Sequence, residues 1–322
     1  MNPDLSERGF QDIGKLTRKV GFGKFPIRDD LIRYNVWYEI RECFGMKLEA
    51  ELKLSKVREI LEESYGVTAE ILERSFWSHA TVGYYIKDSE SNEYVLKLNL
   101  DSPEKRENLE REIYLCNFFS DRLPTQQYVA TKSGEKLLIA EKRLIRLSRY
   151  MHGVPPFEMT PEIFGKIVQV LNVIHATPLE SIKIDLPHVK NMEECPLKEN
   201  LAKDYFLHGD LTEANVLVAD DEIVGVLDFE LACVGPIEYD LSRSLVFCWG
   251  RMLDEKIEDL IKIIRDKYEN GFSERVMLAF CVNHLEKRLE ENVKNRPKYP
   301  NQNEWRQEHE YIQGMLDAFL RL

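Results

Sequence analysis

The first third of the chain alternates between helical and strand-like patterns of apolar residues. Residues 57–66 repeat apolar side chains at helical spacing and end in a glycine, which predicts a capped helix. Alternating apolar positions predict strands at 68–73, 81–87 and 94–98, with a polar turn before the last of them. Apolar residues recur at helical spacing again over 107–119. We therefore expect helices packed on a small sheet in this part of the chain.

The remainder of the chain has mainly helical patterns. Segment 160–175 begins with a threonine, a proline and an acid, which is typical of a helix start, and it carries a strong apolar face. Two short apolar runs around a polar turn predict a hairpin at 216–227. Amphipathic helices are predicted at 254–268, 273–291 and 305–320. Together the two parts predict an α+β protein.

Composition narrows the class of protein. The 322 residues, 43% of them apolar, can form two separate cores, and no long uncharged apolar run indicates a membrane segment. A net charge of −12 argues against a nucleic-acid partner. It is compatible with a cationic substrate, such as a positively charged acceptor of a transferred group. The six cysteines lack paired metal-ligand spacing, which favours reduced thiols. We expect a cytoplasmic monomer or homodimer that binds neither membrane nor nucleic acid.

The most informative motif is HGDLTEANVLV at 208–218, followed by VLDF at 226–229. Transfer of a γ-phosphoryl group depends mainly on positioning and on neutralising negative charge with magnesium. Asp210 is predicted to be the residue that orients the hydroxyl of the phosphoryl acceptor. Asn215 and Asp228, at the two ends of the expected hairpin, supply oxygen ligands for Mg²⁺. The spacing predicts the catalytic centre of a kinase rather than an ordinary polar loop before a hairpin.

These strings resemble the catalytic motifs of the aminoglycoside phosphotransferase and choline kinase superfamily. The resemblance implies a two-lobed protein-kinase-like fold, with a small antiparallel-sheet lobe and a larger, mainly helical lobe. Gly209 stands where protein kinases carry arginine, and Glu230 stands where they carry glycine. Only eleven residues separate Asp228 from Asp240, which leaves no room for a phosphorylated activation loop. These features favour a small-molecule acceptor over a protein acceptor.

The resemblance also implies a division of the chain. Residues 1–53 form an N-terminal extension with a predicted helix at 29–44. Residues 54–144 form the nucleotide-binding lobe, and residues 145–322 carry the catalytic centre and the acceptor site. The C-terminal helices are expected to form the wall of that acceptor site.

The nucleotide-binding lobe should contain a lysine for the phosphates and a carboxylate that holds it. Lys97, a cation among apolar residues in the third strand, fits the first role. Glu112 on the following helix fits the second role, with Glu110 as the alternative. The loop over the phosphates lacks the glycine-rich kinase pattern, so we expect backbone N–H groups and the hydroxyls of Ser78 and Thr81 to contact them.

Contacts to the purine are expected where the chain passes between the lobes. The run 135–144 is predicted to be the strand that leads to this hinge, which places Glu141 and the residues up to Leu144 beside the base. Segment 149–157 is an equally acceptable location for the hinge.

Acids near the motif are candidates for holding the acceptor. Glu213 and Glu230 could each bind an amine, or they could serve as solvated or structural acids. Asp240 is expected to brace the catalytic loop instead. His208 is interpreted as a structural residue that supports the loop through its ring and backbone.

The sequence therefore predicts a kinase that uses Mg²⁺ and ATP or GTP to phosphorylate a hydroxyl of a small metabolite or aminoglycoside-like acceptor. Two alternatives stay open. A non-catalytic protein that binds the nucleotide as a structural ligand would account for the irregular phosphate loop. A protein kinase would share the central motif.

Overall fold

The structure is a computed structural model that describes residues 50–78, 81–156, 158–189, 203–252, 254–298 and 302–322. Residues 48–322 form one compact unit. The predicted N-terminal extension up to residue 49, including its helix at 29–44, lies outside the described residues.

The small lobe is built on an antiparallel sheet, which has six strands in the described part of the chain. They are β1 (Ala69–Ser78), β2 (Thr81–Asp88), β3 (Glu93–Leu100), β4 (Tyr128–Val129), β5 (Leu138–Ala140) and β6 (Arg143–Arg149). The order across the sheet is β1-β2-β3-β6-β4, and β5 also pairs with β6. The three strands expected from the alternation are present.

Two helices accompany this sheet. Helix α1 (Leu54–Ile60) continues as a π-helical turn and ends at Gly66, whose left-handed backbone forms the predicted cap. Helix α2 (Pro103–Phe119) begins at Ser102, whose hydroxyl accepts a hydrogen bond from the Lys105 backbone N–H. Both helices begin a few residues earlier than the apolar pattern predicts.

The large lobe is mainly helical. Its helices are α3 (Pro161–His175), α4 (Ile237–Trp249), α5 (Ile257–Lys267), α6 (Glu274–Asn295) and α7 (Gln302–Phe319). Short strands precede α4: β7 (Tyr205–Leu207) pairs with β10 (Cys233–Gly235), and β8 (Val216–Ala219) pairs with β9 (Glu222–Val226). The predicted cap of α3 is confirmed, because the Thr160 side chain accepts a hydrogen bond from the Ile163 N–H.

Helix α2 packs its apolar side against the core of the large lobe. Its residues Leu115 and Phe119 belong to the large-lobe hydrophobic cluster, together with Phe164 and Leu171 of α3 and Leu245 of α4. A second cluster fills the small lobe between α1 and the sheet. Burying a side chain of this size stabilises a fold by roughly 1.5–3 kcal/mol. The apolar contacts therefore anchor α2 to the large lobe. The polar face of α2, which carries Glu112, remains available to the predicted nucleotide-binding site.

The prediction for residues 135–144 was wrong. They form a hairpin rather than one strand, with Glu141 and Lys142 in the turn between β5 and β6 at φ values of +54° and +57°. Such turns usually carry asparagine or glycine, so this sequence contains no signal for it. The strand that leads to the large lobe is β6, and the connection starts after Arg149, in the alternative segment 149–157.

Two further expectations concern apolar segments and cysteines. Within the described ranges, no helix combines the length and the apolar character needed to cross a bilayer. Cys116, Cys233, Cys248 and Cys281 are buried free thiols, as the spacing predicts. Cys43 and Cys195 lie outside the described residues.

Candidate active site

The first turn of α4 holds the loop from His208 to Asn215, which is the predicted catalytic loop. Asp240 is buried, and its two carboxylate oxygens accept hydrogen bonds from the backbone N–H groups of His208 and Gly209, each at 2.8 Å. Nε2 of His175, at the end of α3, lies 3.0 Å from the same carboxylate. Burial would raise the pKa of Asp240, but the His175 hydrogen bond and the neighbouring histidines hold it below its ordinary value. These contacts support the bracing role expected of Asp240.

Glycine is required at position 209. Gly209 has a φ of +82°, a left-handed conformation that other residues rarely adopt. A Cβ atom added there would collide with the backbone carbonyl of Leu231, which follows the Asp-Phe-Glu sequence. The replacement of the protein-kinase arginine by glycine therefore lets the catalytic loop lie directly against the segment that follows β9.

His208 lies in the interior of the protein and supports the loop from its buried side. Its Nε2 is 3.0 Å from the carbonyl oxygen of Leu227, and its ring centroid lies 4.4 Å from that of Phe229. Burial lowers the pKa of the imidazole below its ordinary value. A buried histidine without access to solvent is suited to a structural role, as the sequence indicates.

Asp210 is the partly exposed carboxylate of the same loop. Its Oδ2 atom accepts a hydrogen bond from Nδ2 of Asn215 at 3.0 Å, and its backbone carbonyl accepts another from the same amide at 2.8 Å. Its Oδ1 atom accepts a hydrogen bond from Nε of Arg243 on α4 at 2.7 Å. The carboxylate keeps 23% of its surface exposed, so it is oriented by two side chains and still reachable by a small molecule.

The hairpin of β8 and β9 brings Asn215 and Asp228 together, as predicted. Val216 pairs with Val226, and the Leu227 N–H donates to the Asn215 carbonyl at 2.9 Å. Asp228 then turns away from the strand in a left-handed conformation with a φ of +64°. A non-glycine residue in this conformation is uncommon and often marks a functional position.

The ring of Phe229 fixes this turn from inside the protein. Its centroid lies 5.5 Å from that of Phe119 on α2 and 4.4 Å from that of His208. Phe229 is fully buried between a helix and the catalytic loop, and the neighbouring Asp228 lies within reach of the charges of Lys97, Glu112 and Asp210.

Asp228 has the properties of a metal ligand. Burial, and the negative charges of Glu112 and Glu230, raise its pKa to about 6. A divalent cation would relieve this repulsion, and carboxylate and amide oxygens from Asp228 and Asn215 are donors that Mg²⁺ accepts. Within the described ranges, no three His, Cys, Asp or Glu side chains cluster into a cage for a metal ion. This donor set fits an ion that also takes ligands from phosphates and water.

Lys97 and its predicted carboxylate lie on facing elements of the small lobe. Lys97 of β3 is paired in the sheet with Arg146 of β6. Glu112 of α2 is buried, contacts Nη2 of Arg146 at 3.4 Å and accepts a hydrogen bond from the Tyr128 hydroxyl at 2.6 Å. Glu110, the alternative to Glu112, is exposed. Glu112 therefore serves a buried arginine that the sequence pattern did not reveal.

Charges in this cluster shift one another. Burial lowers the pKa of Lys97, and so does Arg146, while the carboxylates of Glu112 and Asp228 oppose the change. Burial alone would raise the pKa of Glu112, but Arg146 and Lys97 hold it below its ordinary value. Lys97, Glu112 and Asp228 are thus electrostatic neighbours across the cleft.

Glu230 is held by cationic side chains within the protein. Its carboxylate forms ion pairs with Lys105 of α2 and with Arg146, the latter at 3.3 Å. Its backbone carbonyl accepts a hydrogen bond from Arg111 at 3.2 Å. The residue that stands in place of the protein-kinase glycine therefore ties the large lobe to α2 and β6.

Glu213 is also engaged by an arginine. Its Oε1 atom accepts a hydrogen bond from Nε of Arg251, just after α4, at 3.1 Å. Only 13% of the Glu213 side chain is exposed. The two acids proposed from sequence for an acceptor amine thus both have cationic partners within the protein.

One predicted nucleotide contact falls elsewhere, and another lies outside the described side chains. Glu141 lies in the β5–β6 turn, next to Lys56 at 3.2 Å, at the opposite end of β6 from the connection between the lobes, so its assignment to purine binding was wrong. Ser78 ends β1, opposite Thr81, but its side chain and residues 79–80 lie outside the described part of the chain. The Thr81 hydroxyl accepts a hydrogen bond from Asn99 at 2.8 Å.

Part of the chain is similar to known phosphotransferases and kinases. The model of the APH phosphotransferase enzyme family matches residues 193–269, which include Asp210, Asn215 and Asp228. A homoserine kinase of Neisseria meningitidis serogroup B (strain ATCC BAA-335 / MC58) is 36% identical over 69 residues, which cover 20% of this chain and 22% of that protein. A homoserine kinase of Methylocella silvestris (strain DSM 15510 / CIP 108128 / LMG 27833 / NCIMB 13906 / BL2) is 34% identical over 91 residues, which cover 27% and 26%. The chain spans about a quarter of the length of the curated relatives it matches.

Solved structures extend the likeness to most of the chain. An aminopropanol kinase associated with a microcompartment has a TM-score of 0.63 at 14% identity, with 84% of this chain and 97% of that chain covered. An amicoumacin kinase in complex with AMP-PNP, Ca²⁺ and Ami has a TM-score of 0.62 at 12% identity, with 86% and 96% covered. A spectinomycin phosphotransferase with ADP and spectinomycin has a TM-score of 0.62 at 14% identity, with 83% and 97% covered. The protein-kinase-like fold and the resemblance to aminoglycoside phosphotransferases and other small-molecule kinases are confirmed.

Proposed function

We propose that this chain is a phosphotransferase that moves the γ-phosphoryl group of ATP or GTP to a hydroxyl of a small molecule, with Mg²⁺ as cofactor. The observation that carries the proposal is the convergence of Asp210, Asn215 and Asp228 at the base of the β8–β9 hairpin. Each residue type suits one requirement of the reaction, and the three lie near one another although seventeen residues separate the first from the last.

In the proposed reaction, Asp210 orients the acceptor hydroxyl and accepts its proton as the oxygen bonds to the γ-phosphorus, while the bond from that phosphorus to the β–γ bridging oxygen breaks and ADP or GDP leaves. Arg243 and Asn215 hold the Asp210 carboxylate in one orientation. Lys97 binds the nucleotide phosphates, and Glu112 and Arg146 fix the surroundings of that lysine. Asn215 and Asp228 would hold the magnesium, which when bound neutralises negative charge on the phosphates.

The relatives support the acceptor class. The proteins that match are named as kinases of homoserine, aminopropanol and amicoumacin and as a phosphotransferase of spectinomycin, all small molecules. Two of those structures contain AMP-PNP or ADP, which supports a nucleotide as co-substrate. The eleven residues between Asp228 and Asp240 are occupied by a short 3-10 helix, β10 and the start of α4, which favours a small acceptor over a protein.

The test is direct detection of a phosphorylated acceptor. The full chain is incubated with ATP or GTP and pooled hydroxyl compounds, with Mg²⁺ or with EDTA, and products are identified by mass spectrometry. We expect a magnesium-dependent product that disappears in Asp210→Asn. Retained Mg-nucleotide binding without any product would show a nucleotide-binding protein instead, and transfer only to a generic protein substrate would show a protein kinase.

A further inference from the structure

We propose that Glu230 is a positioning residue for nucleotide binding, because it fixes the turn at Asp228 to helix α2. The inference rests on the proposed function, in which Asp228 is a metal ligand and Lys97 binds the phosphates. Glu230 needs no contact with the metal or the nucleotide for this role. It acts through the groups that hold it, which belong to α2 and to the strand beside Lys97.

The side chain and the backbone of Glu230 are both bound to helix α2. Its carboxylate forms an ion pair with Lys105 in the first turn of that helix, and only 14% of the Glu230 side chain is exposed. Its backbone carbonyl accepts a hydrogen bond from Nη1 of Arg111 at 3.2 Å. Arg111 is in turn held by Glu107, which lies 3.0 Å from its Nη2 atom. Two separate contacts therefore attach Glu230 to α2, two residues after Asp228.

Contacts on both sides fix the turn at Asp228. Before the turn, the Leu227 N–H donates to the Asn215 carbonyl at 2.9 Å, which ties the end of β9 to the catalytic loop. After the turn, Phe229 is fully buried and Glu230 is held by α2. A left-handed backbone such as that of Asp228, with a φ of +64°, persists only where the surrounding structure imposes it. Loss of the Glu230 contacts should therefore let the Asp228 carboxylate move.

The second carboxylate oxygen of Glu230 reaches the strand beside the phosphate-binding lysine. Oε1 of Glu230 lies 3.3 Å from Nη2 of Arg146, which is paired with Lys97 across the sheet. The same Nη2 atom lies 3.4 Å from Oε2 of Glu112 on α2. Lys105 and Glu112 are seven residues apart, which is two helical turns, so they lie on one face of α2. Glu230 therefore links this face of α2 to the strand beside Lys97.

A carboxylate at position 230 is unfavourable for the ionised form of Asp228. After burial and the charge of Glu112, the negative charge of Glu230 is a further cause of the raised pKa of Asp228. Lys105 and Arg146 compensate the charge of Glu230 by forming ion pairs with it. The glycine that protein kinases carry at this position would avoid the repulsion but could form neither ion pair. Glu230 is thus suited to fixing the turn rather than to adding charge to it.

Nucleotide binding tests this role without knowledge of the acceptor. The full chain is titrated calorimetrically with AMP-PNP in Mg²⁺ and in EDTA, and the ratio of the dissociation constant in EDTA to that in Mg²⁺ measures the contribution of the metal. We expect Glu230→Gln to raise the dissociation constant in Mg²⁺ about 10- to 100-fold, the range for a hydrogen bond to a charged group, and to change it less in EDTA. A variant that was merely less stable would keep the wild-type ratio, because unfolded chains lower the number of sites and not their affinity.

Lys105 separates positioning from direct binding of the metal, because an ammonium group cannot be a ligand of a cation. Lys105→Met should raise the dissociation constant in Mg²⁺ about 2- to 5-fold, a smaller effect because its ion pair with Glu230 is partly exposed. In the double variant the second change should add little, since Lys105 acts through Glu230. Glu104→Gln is the matched control, because Glu104 is an exposed acid in the same helical turn, and it should leave both dissociation constants unchanged.

Each contrary outcome has a distinct meaning. An unchanged ratio in Glu230→Gln would show that metal binding at Asp228 does not depend on these contacts and would overturn the inference. A lower ratio in Glu230→Gln with no effect in Lys105→Met would show that Glu230 binds the metal directly, and would overturn it as well, as would effects of the two changes that simply add. A wild-type chain that binds Mg-AMP-PNP but phosphorylates no acceptor with Mg-ATP would overturn the proposed function and leave the binding test of Glu230 intact.

Discussion

Arg146 and Glu112 form an ion pair inside the protein, where β6 faces α2, with 3.4 Å between Nη2 and Oε2 and with 4% and 1% of the two side chains exposed. Arg146 also donates to Asn99 at 3.0 Å and pairs with Glu230 at 3.3 Å. One arginine therefore joins the sheet, the helix that carries Glu112 and the segment after Asp228. We expect the position of Lys97, the proposed phosphate-binding lysine, to depend on this cluster, because Lys97 is paired with Arg146 in the sheet.

Replacing Arg146 with Met should destabilise the chain strongly. The change leaves Glu112 buried without its arginine, and breaking a buried pair from one side costs about 3–5 kcal/mol. The free energy of unfolding, measured by urea denaturation, should fall by that amount. Arg149→Met is the control, because Arg149 is an exposed residue of the same strand and should change stability by less than about 1 kcal/mol. Equal losses in both variants would contradict the assigned role of the buried pair.

Replacing Asp210 with Asn should lower turnover by about 10²- to 10⁴-fold, since an amide keeps the shape of the carboxylate but cannot accept the acceptor proton. The dissociation constant for Mg-ATP, from calorimetric titration, should stay close to that of the wild type. Asp221→Asn, in the exposed turn between β8 and β9, should leave both quantities unchanged. Wild-type turnover in a folded Asp210→Asn protein would remove Asp210 from the mechanism.

Asp228 should make the metal-free chain less stable as pH rises. Its pKa is raised from an ordinary 3.8 to about 6, so between these values the folded state binds more protons than the unfolded state. Stability from this group therefore falls as pH increases from about 4 to about 6. At pH 7.5, Asp228→Asn should be more stable than the wild type by up to about 3 kcal/mol, at 1.36 kcal/mol per unit of pKa shift. The advantage should disappear near pH 4.

The measurement is urea denaturation of both proteins in EDTA across this pH range, and the difference between them isolates Asp228 from other acids. Mg-ATP should reverse the order at pH 7.5, because it binds the wild type and not the variant. A variant that is less stable than the metal-free wild type at pH 7.5 would show that the Asp228 carboxylate is already well compensated.

Replacing Gly209 with Ala should disrupt the catalytic loop. The left-handed backbone costs a non-glycine residue roughly 1–2 kcal/mol, and the added methyl group collides with the Leu231 carbonyl. We expect a lower melting temperature and a large loss of turnover. Gly314→Ala is the matched control, because Gly314 lies within α7 with open space around it, and alanine there should stabilise by roughly 0.5–1 kcal/mol. A harmless Gly209→Ala variant would mean that the loop can move away from Leu231.

The sequence by itself determined the parts of the site that depend on local spacing. Asp210, Asn215 and Asp228 lie in one loop and one hairpin, and the pairing of Val216 with Val226 follows from the alternation of apolar residues around a short turn. Lys97 and Glu112 are placed by a strand and the helix after it, each visible as a periodic pattern. The caps at Thr160 and Gly66 follow equally from local residue types.

Only the tertiary structure decided which charged groups meet. Arg146 and Glu230 are 84 residues apart, and Arg243 and Asp210 are 33 apart, so their contacts depend on how whole elements pack. The spacing of Asp240 and Arg243 places both on one helical face and is visible in the sequence. It indicates that Arg243 lies beside the catalytic loop only once the structure shows that Asp240 holds that loop. The turn at Glu141 and Lys142 had no turn residues to reveal it, because pairing of β5 with β6 imposes its left-handed backbone. The candidate catalytic residues were therefore readable from local order along the chain, whereas the charged partners that orient them arise from packing between distant segments.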